Sequence, residues 1–434
     1  MKRVVALLLL ILFTLASCGT QETPNNDENN QGLTGDVNQT EVTEATNKVE
    51  EGGSDNSKET ASNNEVTGNQ ADKLLERHSN AKASGKLSDT AIYYWDGTVL
   101  YIVGSGVVEE YPWDACYGND EFTPIINKTT KIVIGEGIEN IPHRGFASGS
   151  DRGFNNVTMV ELPSTIKEIG ITAFEWLNSL ESIKLPDNLE YIHSGAFNNC
   201  NSIKELTIPA KVIIDKEDIL SNMESLEKLE ILGTLEENIF TKCVNIKEII
   251  VSGEGNTVEH GIIYNKDKTA LIAGIPNVAS GELIIPGTVT KIGHNALFNC
   301  NNITKIVVPD SVIDIGNGAF ESIDNLEEAV LSKSIDKLYG EEFRNCKSLR
   351  SVTLHDGLRA IGHNSFYGCE ALTSINIPST VTEIDNYAFE SCKSLEIEIP
   401  STVQYIGENA LKDVKHIKYN GKAEGAPWGA LNIN

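Results

Sequence analysis

The chain has 434 residues, 62 of them Asp or Glu and 35 Lys or Arg, for a formal net charge of −27 at pH 7. That balance argues against nucleic acid as a partner and against direct adsorption to anionic lipid, since both present negative phosphates. It leaves room for basic protein partners.

The first 18 residues read MKRVVALLLLILFTLASC. Lys2 and Arg3 form a positive n-region, and Val4 to Leu15 is an apolar run too short for a comfortable membrane span. A plain secretory signal also ends on small residues such as Ala16 and Ser17. The cysteine at the cut, with a polar stretch right behind it, resembles the lipobox of bacterial lipoproteins. That resemblance implies a signal peptide over 1–17 and diacylglycerol on the Cys18 sulfur. Gly19 follows, not Asp, so the inner-membrane retention signal of Gram-negative lipoproteins is missing. No second apolar run of membrane length follows. The expectation is an extracytoplasmic protein, lipid-anchored at the bacterial cell surface.

Residues 18–75 are expected to be the lipidated cysteine and a tether. Positions 19 to 75 hold no Phe, Tyr or Trp, and twelve acidic residues against three basic ones. Such a stretch cannot bury enough apolar surface to offset its ordering entropy. As a flexible coil of about 57 residues it spans on the order of 40 Å root-mean-square. It would lift the folded part off the bilayer; the plainer reading, a solubilising filler, is compatible with that. Residues 76–129 are expected to open the folded part and cap it.

From about 130 to 431 the sequence is periodic. One slot, after an apolar triplet, holds Pro163, Pro186, Pro209, Pro286, Pro309, Pro378 and Pro400, with Leu232, Ser252, Ser332 and His355 in the same place between them. Most intervals are 23 residues, one is 20, one is 22, and one carries a long insertion. A second slot holds Phe174, Phe197, Leu220, Phe240, Leu297, Phe320, Phe343, Phe366 and Phe389. Three residues later come Leu177, Cys200, Met223, Cys243, Cys300, Ile323, Cys346, Cys369 and Cys392. The triplet Leu372, Ile375 and Ile377 suits a short strand with three side chains inward, ended by a proline that has no N–H for a ladder bond. Val289 to Gly293 suits a second short extended piece, and the Ala-Phe pair fills the middle of the coil. Ser or Asn before the next strand, such as Ser202 or Asn325, is expected to bond the turn backbone. One such coil cannot bury its own apolar face and stacked coils can, so a solenoid of parallel strands with little helix is predicted.

The phrase Ile377-Pro378-Ser379-Thr380-Val381-Thr382-Glu383-Ile384, then Ala388-Phe389 and Cys392, resembles the BspA-like leucine-rich repeat family of bacterial surface proteins. The resemblance covers roughly residues 95 to 431. It implies a right-handed coil of units of about 23 residues. "DGTVLYIVGSGVVEEYPW", 96 to 113, is similar to the family's opening segment. "HGIIYNKDKTALIAGIP", 260 to 276, is similar to its inserted β-hairpin, here bounded at about 258–275. "KYNGKAEGAPWGALN", 418 to 432, is similar to its closing segment, with a cap over about 414–431. Leu232, Ser252, Ser332 and His355 depart from the usual proline, and 145 to 156 lengthen an early coil.

Many cysteines in an exported protein normally suggest disulfides. Here Leu177, Met223 and Ile323 share the cysteine slot, so the slot wants a medium apolar side chain. Cys346, Cys369 and Cys392 stack, but equivalent slots run parallel about 5 Å or more apart. A disulfide needs converging Cβ atoms about 3.5–4.5 Å apart. Six cysteines are therefore expected to be buried free thiols. Cys116 lies outside the repeat and has no assigned role. A ladder spreads ligands along a line, which does not suit a metal.

No G-x-S-x-G, H-E-x-x-H, P-loop or C-x-x-C occurs. His294 and His363 share a slot 69 residues apart, about 15 Å along a stack, and read as surface histidines near a turn. "YNKDKT", 264 to 269, lacks calcium-loop spacing and reads as the hairpin turn. No catalytic residue, cofactor or metal is assigned. The family resemblance implies adhesion or recognition, with host matrix proteins, mucus glycoproteins or other microbes as partners. Two alternatives stay open: a structural lipoprotein binding the cell's own wall polymers, and a hydrolase with an unrecognised site.

By strand alternation one residue per coil points out of the sheet. Down the stack that row reads Glu161, Lys184, Thr207, Glu230, Ile250, Ile284, Val307, Val330, Thr353 and Asn376. Ile250, Ile284, Val307 and Val330 are expected side by side, with the insertion leaving the chain between the first two. Ile and Val suit any exposed strand, and the hairpin could fold over them. Alternatively the stripe is the apolar centre of a recognition face, with Glu282, Lys305, Glu327 and Glu328 as its charged rim.

Overall fold

The computed structural model describes residues 70–429, apart from 114–119, 149–152, 215–218, 420 and 424–427. Most coils lay down a first strand over the apolar triplet, turn at the proline slot, and add a second strand, often of two residues. They then return through a turn that holds the Ala-Phe pair. In one coil these are Ser374–Asn376, Pro378, Glu383–Ile384 and Phe389. First strands stack in parallel on one face, as Ser280–Ile284 does on Asn302–Val307 and then on Glu328–Val330 and Ser351–Thr353. Second strands stack on another face, as Lys337–Gly340, Ala360–His363, Glu383–Ile384 and Tyr405–Ile406 do. The expected solenoid is the observed fold. Among the described residues no helix is long and apolar enough to cross a membrane.

Equal coil length puts equal slots above one another, so each slot becomes a column. Phe320, Phe343, Phe366 and Phe389 stack with centroids 5.2, 5.4 and 5.2 Å apart. All four are fully buried, with Cys346, Cys369 and Cys392 beside them. Two columns of left-handed residues flank the phenylalanines. Two positions after the aromatic slot stand Trp176, Asn199, Asn222, Asn299, Asn345 and Ser391, all with φ between 58° and 63°. Asparagine tolerates that region because its short amide bonds locally. Ser202, Asn245, Asn302 and Asn325, each just before or at the start of a first strand, bond the preceding coil rather than their own turn. Ser202 donates to the Asn178 carbonyl at 2.5 Å, and Asn325 to that of Asn301 at 2.8 Å. They fasten one coil to the next.

Both ends of the stack are sealed. At the start, an antiparallel meander of Ala83–Lys86, Ala91–Trp95 and Val99–Gly104 leads into the first parallel strand, Lys131–Ile134. Trp113 is buried against Tyr93, Tyr111, Phe122, Phe146 and Phe154, and its Nε1–H donates to the Gly145 carbonyl at 2.9 Å. The helix Gln70–Arg77 corrects the expected tether boundary. Ala71 is fully buried and Asp72 pairs with Lys86 at 2.6 Å, so the folded part begins by residue 70 and not 76. At the other end Trp428 packs edge-on to Tyr419 at 5.5 Å, and its carbonyl accepts from Leu411 N–H.

The insertion is a three-stranded antiparallel meander, Asn256–Glu259, Ile262–Asn265 and Ala270–Gly274, one strand more than a hairpin. Its last strand pairs in parallel with Lys291–Ile292, so it joins the second-strand face. Asn265 Oδ1 accepts from Thr269 and Ala270 N–H, which makes the "YNKDKT" segment a turn. Strand alternation sends Ile263 into the core before the meander, and Ile262 and Tyr264 into the core after it. The meander is thus a partition between two hydrophobic cores.

Candidate recognition face

Ile284, Val307, Val330 and Thr353 stand opposite one another on four neighbouring strands. Ile284 is 66% exposed, and Val307 and Val330 are half-buried. The meander does not cover them, because it extends the other face. Ile250 does not join this row. It lies on the edge strand Glu248–Val251 of a separate three-stranded sheet, opposite Glu230 and Thr207. The expectation of four contiguous aliphatics is corrected to three. Slot alignment places consecutive first strands side by side, and the meander breaks that pairing here.

The rim residues are tied to one another. Glu282, Lys305 and Glu328 are ladder partners, and the Lys305 ammonium lies 3.4 Å from each carboxylate. The Glu328 charge, and then Glu282, holds the Lys305 ammonium above the usual lysine range. Glu327 is exposed beside them. The face is therefore a short aliphatic stripe bordered by a net negative edge. All of these groups are solvated, so each pair contributes little to stability and more to partner choice.

Cys18 and Cys116 lie outside the described residues. The other six cysteines are free and buried. Cys346, Cys369 and Cys392 each turn the thiol toward a phenylalanine carbonyl of the preceding coil at 3.1 Å. Burial pushes the Cys200 and Cys346 thiols up to about 12, and raises Cys369 as well. These thiols are inert packing groups. His294 sits near a turn, where its Nδ1 accepts from Asn317 N–H at 3.0 Å. Among the described residues no three His, Cys, Asp or Glu side chains gather as a metal site.

The sequence model of the BspA type Leucine rich repeat region matches in six copies, over residues 150–269, 277–396 and 337–422. No curated protein matches the chain. A leucine-rich repeat protein of Eubacterium ventriosum is similar in structure, with TM-score 0.62 and 20% identity, covering 80% of this chain and 99% of the other. A leucine rich cell surface protein of Faecalibacterium prausnitzii gives TM-score 0.53 and 23% identity, covering 79% and 96%. These likenesses establish the fold. With repeats matched over more than half its length, the chain belongs to the BspA-type leucine-rich repeat family.

Proposed function

We propose that this protein is a bacterial cell-surface lipoprotein, anchored through Cys18, that binds a protein or glycoprotein through its first-strand face. The observation that carries the reading is the uncovered row Ile284, Val307 and Val330 on adjacent strands. Exposed contiguous aliphatics on a rigid repetitive face are the usual mark of an interaction site. The cell-surface description of the Faecalibacterium relative supports the location. Glu282, Lys305, Glu327 and Glu328 would set register and exclude wrong partners. Adhesion to host matrix, mucus or other cells is the form of binding proposed.

The test is capture by the full chain from host matrix and mucus proteins, with purified cell wall alongside. Val307→Asp combined with Val330→Asp should weaken capture by about tenfold or more, while its circular dichroism stays that of the parent. Unchanged capture by a folded variant removes the stripe from the site. Capture only by cell wall would favour an envelope scaffold. For the anchor, Cys18→Ser should leave the protein unattached to membranes after a carbonate wash; retention there removes the lipid.

A further inference from the structure

The seam between the strands Glu248–Val251 and Ser280–Ile284 differs from every other interruption of the first-strand face. That face also breaks after Ser182–Ile183 and after Ser351–Thr353. At those breaks the opposite face pairs without insertion, Tyr191–Ile192 with Ile213–Ile214 and Ala360–His363 with Glu383–Ile384. At the seam the opposite face carries two additional strands, Ile262–Asn265 and Ala270–Gly274. Strands stand about 4.8 Å apart, so that face is longer by about 10 Å. The turns are not spread to match, since Asn238 Nδ2 reaches the Asn295 carbonyl at 2.8 Å across them. The coils therefore fan apart.

One end of the seam is pinned. Asn277 Nδ2 donates to the carbonyls of Val244 and Ile246 at 3.0 and 2.9 Å. Beyond that clasp the two strands share no ladder. Ile285 N–H donates away from the seam to Val307, and Ser252 N–H away from it to Ile231. Successive residues of an extended chain turn their N–H groups to opposite sides. Glu282 and Ile284 on one edge, and Ile249 and Val251 on the other, therefore point theirs into the opening. Val251 and Leu283 hold core positions but are half-buried, whereas their ladder partners Ile231 and Ile306 are buried. The register shifts by a bulge at Gly281, and a Cβ built there would meet no atom within 4 Å.

We propose that this seam accepts an extended strand of a partner protein. The backbone edge supplies a ladder, and Val251 with Leu283 supplies an apolar floor for alternate small or β-branched side chains. Charge selects the residues between them. Glu248, Glu254 and Glu282 lie on or beside the two edge strands, while Lys228 is held by Glu248 at 3.4 Å and Lys305 by two glutamates. The rim is net negative, so the incoming strand carries lysine or arginine. This chain's own acidic stretch, 19 to 75, has the wrong sign. The inference stands apart from the aliphatic stripe, sharing Ile284 with it and Glu282 and Lys305 with its charged rim.

The probe is a capped hexapeptide of alternating lysine and valine, with a glutamate–valine peptide as control, read by fluorescence anisotropy on the full chain. The lysine peptide should bind about tenfold tighter than the control. Hydrogen exchange of the parent should slow at Ile249, Val251, Glu282 and Ile284 when it binds. Ile284→Pro, which removes a donor aimed into the seam, should weaken binding about tenfold, and Val307→Asp less than about threefold. No slowing at the seam amides overturns the proposal, whatever the proline variant does to folding. So does equal binding of both peptides, an absence of binding up to about millimolar peptide, or a chain dimer that Ile284→Pro abolishes, which would assign the seam to a second copy.

Discussion

The coils before the meander and those after it repeat the same sequence phrase with unequal regularity. After it, the aromatic slot recurs every 23 residues from Leu297 to Phe389, and Phe320, Phe343, Phe366 and Phe389 form an unbroken stack with successive centroids within 5.4 Å. Before it, the stack runs Phe146, Phe174 and Phe197 and then meets Leu220, and one interval shortens to 20 residues. In the cysteine slot the earlier half alternates Leu177, Cys200, Met223 and Cys243, whereas the later half ends on three consecutive cysteines, Cys346, Cys369 and Cys392. Both regions bury their aromatic slots completely or nearly so. Burial needs only apolar slots, whereas columns need equal coil length. Columns then carry order from coil to coil, and the earlier half has less of it.

Phe366→Ala should have the largest effect on the later half. The ring is fully buried between Phe343 and Phe389, and such a truncation costs about 3–5 kcal/mol. The two cores are separate clusters, and repeat proteins couple mainly to nearest neighbours. The loss should appear as an earlier denaturant transition of the later half, with the earlier half unmoved. Amide exchange resolved by residue would show it. A uniform loss of protection across both halves would mean that the meander couples the cores and does not partition them.

The later half also carries an acid sensor that runs against the usual direction. Glu321 lies beside Arg344 at 3.8 Å, with Glu341 and Lys242 also acting on it. Burial, more than the cations can offset, raises its carboxyl from the ordinary 4.5 to about 7. The folded chain then holds a proton that the unfolded chain releases. That stability is fully present below about pH 4.5 and is lost as pH rises through about 7, up to about 3 kcal/mol. Glu342, fully buried and also raised by burial, adds in the same direction. Glu321→Gln should flatten the dependence between pH 5 and 8 and raise the later half's stability at pH 8. An unchanged slope would assign the dependence to Glu342.

Most of this architecture was legible because each slot repeats one physical demand. The proline slot, the Phe and Cys columns and the insertion follow from spacing and apolar pattern alone. What escaped was contact across a change of period. Ile250 and Ile284 occupy one slot yet different sheets, since slot alignment contains no information on the strands inserted opposite them. The asparagines looked like local turn bonds because sequence distance favours local partners. The Asn325 amide and the Ser202 hydroxyl instead reach 24 residues back. The tether boundary slipped because Gln70–Arg77 is polar by composition and is held by packing of Ala71 and one ion pair.

The smallest expected effect lies in the earlier half, at Trp176. Its φ is 63°, in a column where Asn199, Asn222, Asn299 and Asn345 hold the same conformation at 58° to 60°. A bulky L-residue there brings Cβ against the following carbonyl, at a cost of roughly 1–2 kcal/mol that asparagine partly avoids. The indole is 39% exposed, so little burial offsets the strain. Its backbone role would survive substitution, since Trp176 N–H donates to the Asn198 carbonyl at 2.9 Å whatever the side chain. Trp176→Asn should therefore raise the earlier half's stability by about 1 kcal/mol, read as a small upward shift of its transition. That would narrow the gap between the two halves. A loss of stability would show that the ring packs against its neighbours more than its exposure indicates. A gain accompanied by weaker capture of a partner would place Trp176 among strained residues retained for binding, since strain of this kind collects where function requires it.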